Sequence, residues 1–342
     1  MSIVNQIINK LESNKKLNTT ECQEFCDLVF QNKVESPKLT LILRQLNKVG
    51  FGADELCGFA NSMRKISVKV KTDGNIVDNC GTGGDGSSTF NISTTASLVA
   101  SCCNVKVAKH GNKSITSKSG SADLLMELGV NIQLSEDRIS QCIEKYNFGF
   151  MFAPLHHGAM KYVAESRKEI APEKTIFNLL GPLTNPAGAK RQLIGVFSDS
   201  VMHDVAETLI QLGVEKAQIV HSKDGLDELS IFEKTKILKI YKGDIIIDYF
   251  QPEKYFKNRS YSISDIKVTS PKESVNLVKS ILNGTSKGAA RDISILNAAF
   301  VLTTFHDDLD IADAIDLCSQ QIEKKFVVEK INDLVEFTNA TS

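Results

Sequence analysis

Six consecutive positions, Gly81-Thr82-Gly83-Gly84-Asp85-Gly86, hold the densest chemical signal in the sequence. Glycines let backbone N–H groups turn toward an anion, and a helix beginning near Ser93-Thr94 would add the positive end of its dipole. Asn91, Ser93 and Thr94 add side-chain donors. The chemistry this suits is the cradling of a phosphate. Asp85 is the odd member, because a carboxylate repels phosphate; it makes sense beside a cation. The same residues satisfy G-x-G-x-x-G, the dinucleotide fingerprint, which needs an acidic residue roughly 20 positions on to hold a ribose. From Gly86 to Ala122 there is no Asp or Glu, so the nicotinamide reading loses its second half. A plain glycine-rich turn is the bland alternative.

Two further clusters bear on this. Lys109-His110-Gly111-Asn112-Lys113 runs on into Ser114, Thr116, Ser117, Lys118, Ser119, Gly120 and Ser121. Alone it would pass for a solvated surface loop. Two cationic, hydroxyl-rich or glycine-rich loops after consecutive strands suggest a substrate with two separated phosphate groups. No G-x-x-x-x-G-K-[ST] occurs, which argues against ATP chemistry. Asp224-Gly225-Leu226-Asp227-Glu228 places adjacent carboxylates in a loop after a strand. That suits Mg²⁺, which takes one or two protein carboxylates with waters and substrate phosphates. In isolation it is an acidic turn; beside phosphate loops it supplies the metal site that a polyanion needs.

These loops need elements to position them. Residues 1 to about 72 read as short helices. Ile3, Ile7, Ile8 and Leu11 share one helical face, Thr20 with Gln23 matches a capping box, and Ser36-Pro37 opens a helix that Gly50 stops. Ala53 to Lys65 is another. From Asn75 strands alternate with helices: a strand at Ile76-Val77, a helix from Thr94 to Cys103, and a strand at Val105 to Ala108. A helix at Asp123 to Leu128 and strands at Phe148 to Phe152, Gln192 to Phe197 and Gln218 to His221 follow, with a helix at Val201 to Leu212. This alternation predicts the α/β class, with ligand loops at strand carboxyl ends. The expected architecture is a small all-helical domain over residues 1–72, with a helical contribution from about 160–180. A larger α/β domain, 73–342, follows, its central sheet mostly parallel or mixed and flanked by helices.

Composition narrows the class. The 342 residues are 42% hydrophobic and 24% charged with a net charge of -1, which fits a packed core and not the basic footprint of a nucleic-acid binder. No apolar run approaches the roughly 18 residues of a spanning helix, and the amino-terminal helix lacks the features of a signal peptide. Cys22, Cys26, Cys57, Cys80, Cys102, Cys103, Cys142 and Cys318 are scattered, without a C-x-x-C pair. They read as reduced thiols of a cytoplasmic protein, Cys102 and Cys103 inside an apolar helix.

Taken together the motifs resemble those of the anthranilate phosphoribosyltransferase family. They are GTGGD at 81–85, Thr89 to Thr94, KHGN at 109–112, SGSAD at 119–123 and Phe152-Ala153-Pro154 before His157. TIFNLLGPLTNP at 175–186, GLDE at 225–228 and Arg291-Asp292 with Asn297-Ala298-Ala299 complete the match, in order, from about residue 75 to 305. The resemblance implies transfer of a 5-phosphoribosyl group from phosphoribosyl pyrophosphate to the amine of anthranilate, in tryptophan biosynthesis. It implies diphosphate contacts from Gly81, Gly84, Asp85, Thr89, Asn91, Ser93, Thr94, Lys109 and Ser121. It assigns anthranilate contacts to Gly81, Asn112 and Arg167, with His110, His157 and Pro182 along its access path. Ser93, Asp227 and Glu228 match metal ligands, for up to two Mg²⁺ ions per subunit. The partners implied are these two small molecules and a second copy, docked through the amino-terminal helices; nucleic acid and membrane are not expected.

Some positions depart from the family's pattern. Lys113 and Lys174 stand where Arg is usual, Gly158 replaces a Pro after His157, and the segment from Lys168 to Lys174 is one residue longer. All are expected on the aromatic-substrate side. No covalent nucleophile is assigned. His156 reads as structural, and His203, His221 and His306 as surface or packing residues. Two rivals remain at this level. A pyrimidine nucleoside phosphorylase would use the same architecture, but a single phosphate needs less metal than the Asp227-Glu228 pair supplies. A nucleic-acid-binding relative would show excess Lys and Arg and a lost acidic pair.

Overall fold

Neighbouring residues in the central strands belong to different cores. Leu193, Val220 and Ile237 enter one apolar cluster, and Ile194, Ile219 and Leu238 enter another. That period-two alternation is what a sheet covered on both faces requires. The computed structural model describes residues 2–113, 120–257 and 260–340. Helices α1 (Ile3–Glu12), α2 (Thr19–Phe30), α3 (Ser36–Val49) and α4 (Ala53–Ile66) come first. Then follow β1 (Val77–Gly81), α5 (Ile92–Ser101), β2 (Val107–Gly111), α6 (Ser121–Glu127), α7 (Glu136–Tyr146) and β3 (Phe148–Phe152). Next come α8 (Ala153–His156), α9 (Ala164–Ile170), α10 (Leu180–Leu183), β4 (Arg191–Gly195), α11 (Met202–Gln211) and β5 (Lys216–Ser222). The remaining elements are β6 (Thr235–Tyr241), β7 (Asp244–Phe250), α12 (Pro271–Leu282), α13 (Ala289–Phe305), α14 (Ile311–Glu323) and α15 (Phe326–Asn339).

The strands form one sheet in the order β3-β2-β1-β4-β5-β6-β7. The first five are mutually parallel and the last two antiparallel. The chain builds outward from β1 to β3 and then returns to lay β4 on the other side of β1. The switch point, where α/β sheets open a crevice at their carboxyl ends, therefore lies between β1 and β4. One face carries α5, α6 and α12 to α15. The other carries α11, the 176–183 segment and the four amino-terminal helices, all in one continuous core. Within that core Phe59 meets Phe25 and Phe177 edge-on, with ring centroids 6.1 and 5.4 Å apart. Helix α3 binds α9 through Ser36 and Ser166 hydroxyls at 3.1 Å and Thr40 to Glu169 at 3.2 Å.

Several local expectations need correcting. The capping box of α2 is Asn18 with Glu21, not Thr20 with Gln23; both pairs fit the pattern, and the Asn18 carboxamide is the one positioned to accept the Glu21 N–H at 2.9 Å. Helix α5 ends at Ser101, so Cys102 and Cys103 lie in the turn beyond it. Lys109, His110 and Gly111 are inside β2 and not in a loop. The hairpin of β6 and β7 has no counterpart among the expected elements. Its turn is Lys242-Gly243, with φ of 51° and 91°, the left-handed pair that matches strand twist. Lys-Gly is a weak turn signal and Ile245-Ile246-Ile247 hides the alternation.

Candidate active site

The carboxyl ends of β1, β2, β4 and β5 open onto one edge of the sheet, and the predicted motifs gather there. After β1, Gly83, Gly84 and Gly86 take left-handed φ of 64°, 79° and 72°, which glycine adopts without steric cost. The loop then enters α5, where the Asn91 carboxamide accepts the Thr94 N–H at 3.0 Å. The Ser93 N–H of that first turn faces the Glu228 carboxylate, at the positive end of the helix dipole. The Thr94 hydroxyl is fully buried and has no protein partner among the described residues.

The acidic loop after β5 packs directly on this cradle. Asp227 Oδ2 accepts the Gly83 N–H at 2.9 Å. A Cβ on Gly81 would sit 2.9 Å from that same oxygen, and one on Gly195 would overlap the Asp227 carbonyl oxygen outright. Both glycines at the switch point are thus the space into which the acidic loop fits. On the other side, Asn297 of α13 clamps Leu229, the residue after Glu228. Its carbonyl accepts the Leu229 N–H at 3.0 Å and its NH₂ donates to the Leu229 carbonyl at 2.9 Å. Asp224 is spent within the turn, accepting from the Ser230 hydroxyl at 2.6 Å.

Charge in this pocket is out of balance. Burial, and then the nearby Asp85, push the Asp227 carboxyl up to about 7. Burial, and then Asp227, raise Glu228 well above the carboxylate range. The Lys109 ammonium is wholly buried; burial lowers its pKa, against Cys80, Asp78 and Glu228, which raise it. It donates to the Asn79 carbonyl and to the Ser93 hydroxyl, the latter at 3.3 Å. Three converging carboxylates and one buried ammonium cannot all ionise comfortably without another cation. No cluster of three or more acidic, His or Cys side chains is closed around a metal among the described residues; the half-buried Asp227-Glu228 pair, with Ser93 alongside, is the all-oxygen set of one or two carboxylates that Mg²⁺ takes when substrate and water complete its shell.

Not every predicted residue joins this cluster. Gly81, Asp85, Asn91, Ser93, Thr94, Lys109, Asp227 and Glu228 do, with Gly84 in the same loop. Thr89 lies further along the loop: its hydroxyl meets Ser87 at 3.3 Å and its backbone bridges Lys267. Ser121 opens α6 against Gly111, where an added Cβ would lie 3.0 Å from the Ser121 Cβ. Asn112 is exposed at the end of β2. Ser114, Thr116, Ser117, Lys118 and Ser119 lie outside the described residues. Arg167 is half-buried on α9, and burial lowers its pKa. No hydrogen bond or ion pair among the described residues uses its guanidinium. His110 and His157 are buried with ring centroids 5.0 Å apart. Burial pushes His110 down to about 4 and His157 lower still, so both are neutral. His110 Nδ1 pairs with the Gly181 carbonyl at 3.0 Å, beside Pro182, whose carbonyl accepts from Gln192 at 2.8 Å. His156 is structural, its Nδ1 pairing with the Val68 carbonyl at 2.8 Å.

Lys174 reaches the glycine loop: its ammonium donates to the Gly84 carbonyl at 2.9 Å and lies 3.3 Å over the Phe197 ring. Gly158, by contrast, has nothing within 4 Å of an added Cβ, so packing does not demand it. Three participants escape a reading of the sequence: Gly195, Asn297's clamp and Asp78. Asp78 is wholly buried in β1 and accepts the His110 N–H at 3.1 Å. A buried acid one residue into a strand is the available signal; Gly195 offers none.

Comparison with known proteins agrees with this geometry. A family profile described as "Glycosyl transferase family, a/b domain" matches residues 73–324. The anthranilate phosphoribosyltransferases of Acetivibrio thermocellus and Aquifex aeolicus are each 38% identical over 99% of this chain, covering 97% and 99% of those proteins. The crystal structure of anthranilate phosphoribosyltransferase from Thermus thermophilus is 32% identical, with a TM-score of 0.90 over 98% of this chain and 99% of that one. The Saccharomyces cerevisiae enzyme in complex with PRPP and Mg is 25% identical, with a TM-score of 0.90 over 99% of this chain and 98% of that one. With the glycine loop, the half-buried acid pair and the sheet topology in place, these matches show that the chain belongs to the anthranilate phosphoribosyltransferase family.

Proposed function

We propose that the crevice between β1 and β4 carries out this family's reaction on this chain. The 5-phosphoribosyl group passes from phosphoribosyl pyrophosphate to the amine of anthranilate, giving N-(5-phosphoribosyl)anthranilate and pyrophosphate, a step of tryptophan biosynthesis. The observation that carries the reading is the half-buried Asp227-Glu228 pair, with Asp227 hydrogen-bonded onto the glycine loop and Glu228 beside Ser93.

An aromatic amine is a weak base that needs no strong general base to attack; the difficult part is the departure of a highly charged diphosphate. The glycine loop and the positive end of the α5 dipole offer stabilisation fixed in advance toward that charge. Asp227, Glu228 and Ser93 would hold magnesium, up to two ions per subunit, which supplies neutralising charge to the leaving group. Lys109, held by Asn79 and Ser93, faces the same ligand from β2, and Lys174 reaches it from the helical side. Arg167 would clamp the anthranilate carboxylate in a two-point hydrogen bond, holding the amine in line with ribose C1. Asn112, His110, His157 and Pro182 would lie along the aromatic side, the two neutral imidazoles offering polar surface without charge. Thr89 and Ser121 complete the diphosphate contacts in this reading.

We also propose a homodimer through the amino-terminal helices, where Leu41 of α3 remains 38% exposed, and a cytoplasmic location, consistent with eight unbridged cysteines. No helix among the described residues is long and apolar enough to cross a membrane. The test of the reaction is anthranilate fluorescence on mixing the purified protein with phosphoribosyl pyrophosphate, with and without Mg²⁺. A Mg²⁺-dependent loss that requires both substrates is expected. No loss from folded protein would reject anthranilate as acceptor.

A further inference from the structure

Strands β1 and β2 begin as partners and then part. Their parallel ladder holds at Val77 with Val107, where the Val77 N–H donates to the Lys106 carbonyl at 2.9 Å. A continued ladder would next send the His110 N–H to the Asn79 carbonyl and the Asn79 N–H to the Ala108 carbonyl. Three of these four groups bond to side chains instead. The Asp78 carboxylate accepts the His110 N–H at 3.1 Å, and the Asn185 carboxamide donates to the Ala108 carbonyl at 2.9 Å. The Lys109 ammonium donates to the Asn79 carbonyl. Each strand keeps its pairing on the other side, β1 with β4 from Val77 to Gly81 and β2 with β3 from Val107 to Gly111. The parting is thus confined to one seam of the sheet.

Asp78, Lys109 and Asn185 are all buried. A regular strand pair would need none of them, and charged groups are costly to hold away from water. The seam gives Lys109 its place. The ammonium enters between the strands and reaches the Ser93 hydroxyl at 3.3 Å, in the first turn of α5. The Asn79 side chain ties the same turn to β1, donating to the Ser93 carbonyl at 3.0 Å. Asn185 is itself fixed, its side-chain oxygen accepting the Ala187 N–H at 2.9 Å.

We propose that Asp78 and Asn185 are positioning residues that hold the β1–β2 seam open and so aim the Lys109 ammonium at the phosphoribosyl donor, an inference that rests on the function proposed above. Both act through the backbone of β2. Were the seam to close, His110 would reclaim the Asn79 carbonyl, and the ammonium would lose the acceptor that fixes it.

The test is isothermal titration of the folded full chain with phosphoribosyl pyrophosphate and Mg²⁺, which needs no acceptor substrate. Asp78→Ala should weaken binding about tenfold. Asp78→Asn keeps an oxygen for the His110 N–H and should recover most of that loss. Lys109→Met should weaken binding at least as much as Asp78→Ala. The double variant Asp78→Ala/Lys109→Met should bind as Lys109→Met does, because a residue acting through Lys109 then has nothing left to position. Asn185→Ala, taken through the same cycle, repeats the measurement without loss of charge and decides where Asp78→Ala does not fold. Losses that add in the double variants would overturn the inference, since they would make the two residues independent of Lys109. So would undiminished binding in Asp78→Ala, or no recovery in Asp78→Asn. A wild type that binds no donor would remove the proposed function itself, and this inference with it.

Discussion

The residues of this site divide by what burial does to them. Arg167 keeps a charged, half-buried guanidinium with no protein partner among the described residues. Charged hydrogen bonds of this kind contribute about 1.5–3 kcal/mol, so Arg167→Ala should raise the anthranilate KM roughly ten- to a hundredfold and leave that of the phosphoribosyl donor nearly unchanged. Steady-state kinetics on both substrates decide; equal effects would remove the clamp. His110 goes the other way. Its pKa falls to about 4 on folding because burial penalises the imidazolium, while the unfolded chain titrates near 6.5. Between those values the unfolded state binds more protons, so stability rises with pH. The contribution is full above about 6.5 and is lost as pH falls through about 4, amounting to about 3 kcal/mol. Denaturant unfolding between pH 4.5 and 7 should show that slope in the wild type and a shallower one in His110→Asn. An unchanged slope would mean the imidazole is not the titrating group.

At the scale of elements, the site is a loop held between a strand and a helix. Asn297 lies on α13, which is apolar around its whole circumference and buried. Asn297→Ala would strand the buried Leu229 N–H and carbonyl, at a cost of about 2–4 kcal/mol. It should lower the melting temperature and also raise the Mg²⁺ concentration needed for half-maximal activity. A melting shift with unchanged Mg²⁺ dependence would confine Asn297 to stability. Gly195 is the tighter constraint, since an added methyl overlaps the Asp227 main chain. Displacing the acidic loop by about 1 Å is expected to cost roughly a hundredfold in rate. Gly195→Ala should therefore keep its circular dichroism spectrum and lose kcat/KM; normal kcat/KM would show that the loop tolerates the shift. These partners are not legible in the sequence because a glycine and an asparagine carry their meaning only once the loop that needs them is in place.

For the whole molecule, the amino-terminal helices bury one face on the sheet core and leave the other with apolar positions such as Leu41 and Ile66. If that face pairs two copies, sedimentation equilibrium should give twice the 37.6 kDa chain mass, and Leu41→Glu should shift it toward the monomer. A wild-type monomer across micromolar concentrations would end the proposal.

Sequence by itself determined the α/β alternation, β3 to β5 within a residue or two, β1 and β2 more loosely at their carboxyl ends, and the residue types that gather at the candidate site. Glycines before a helix start and adjacent carboxylates after a strand have local physical meanings, set by backbone freedom, helix dipoles and charge. Only the tertiary structure decided that Asp227 sits on Gly83, and that Lys174 reaches the glycine loop across about ninety residues of chain. The same holds for the pairing of β6 with β7 at the sheet edge. Each depends on contacts between segments remote in sequence, fixed by strand order and by the burial of two faces at once, and no local pattern encodes which segments those will be.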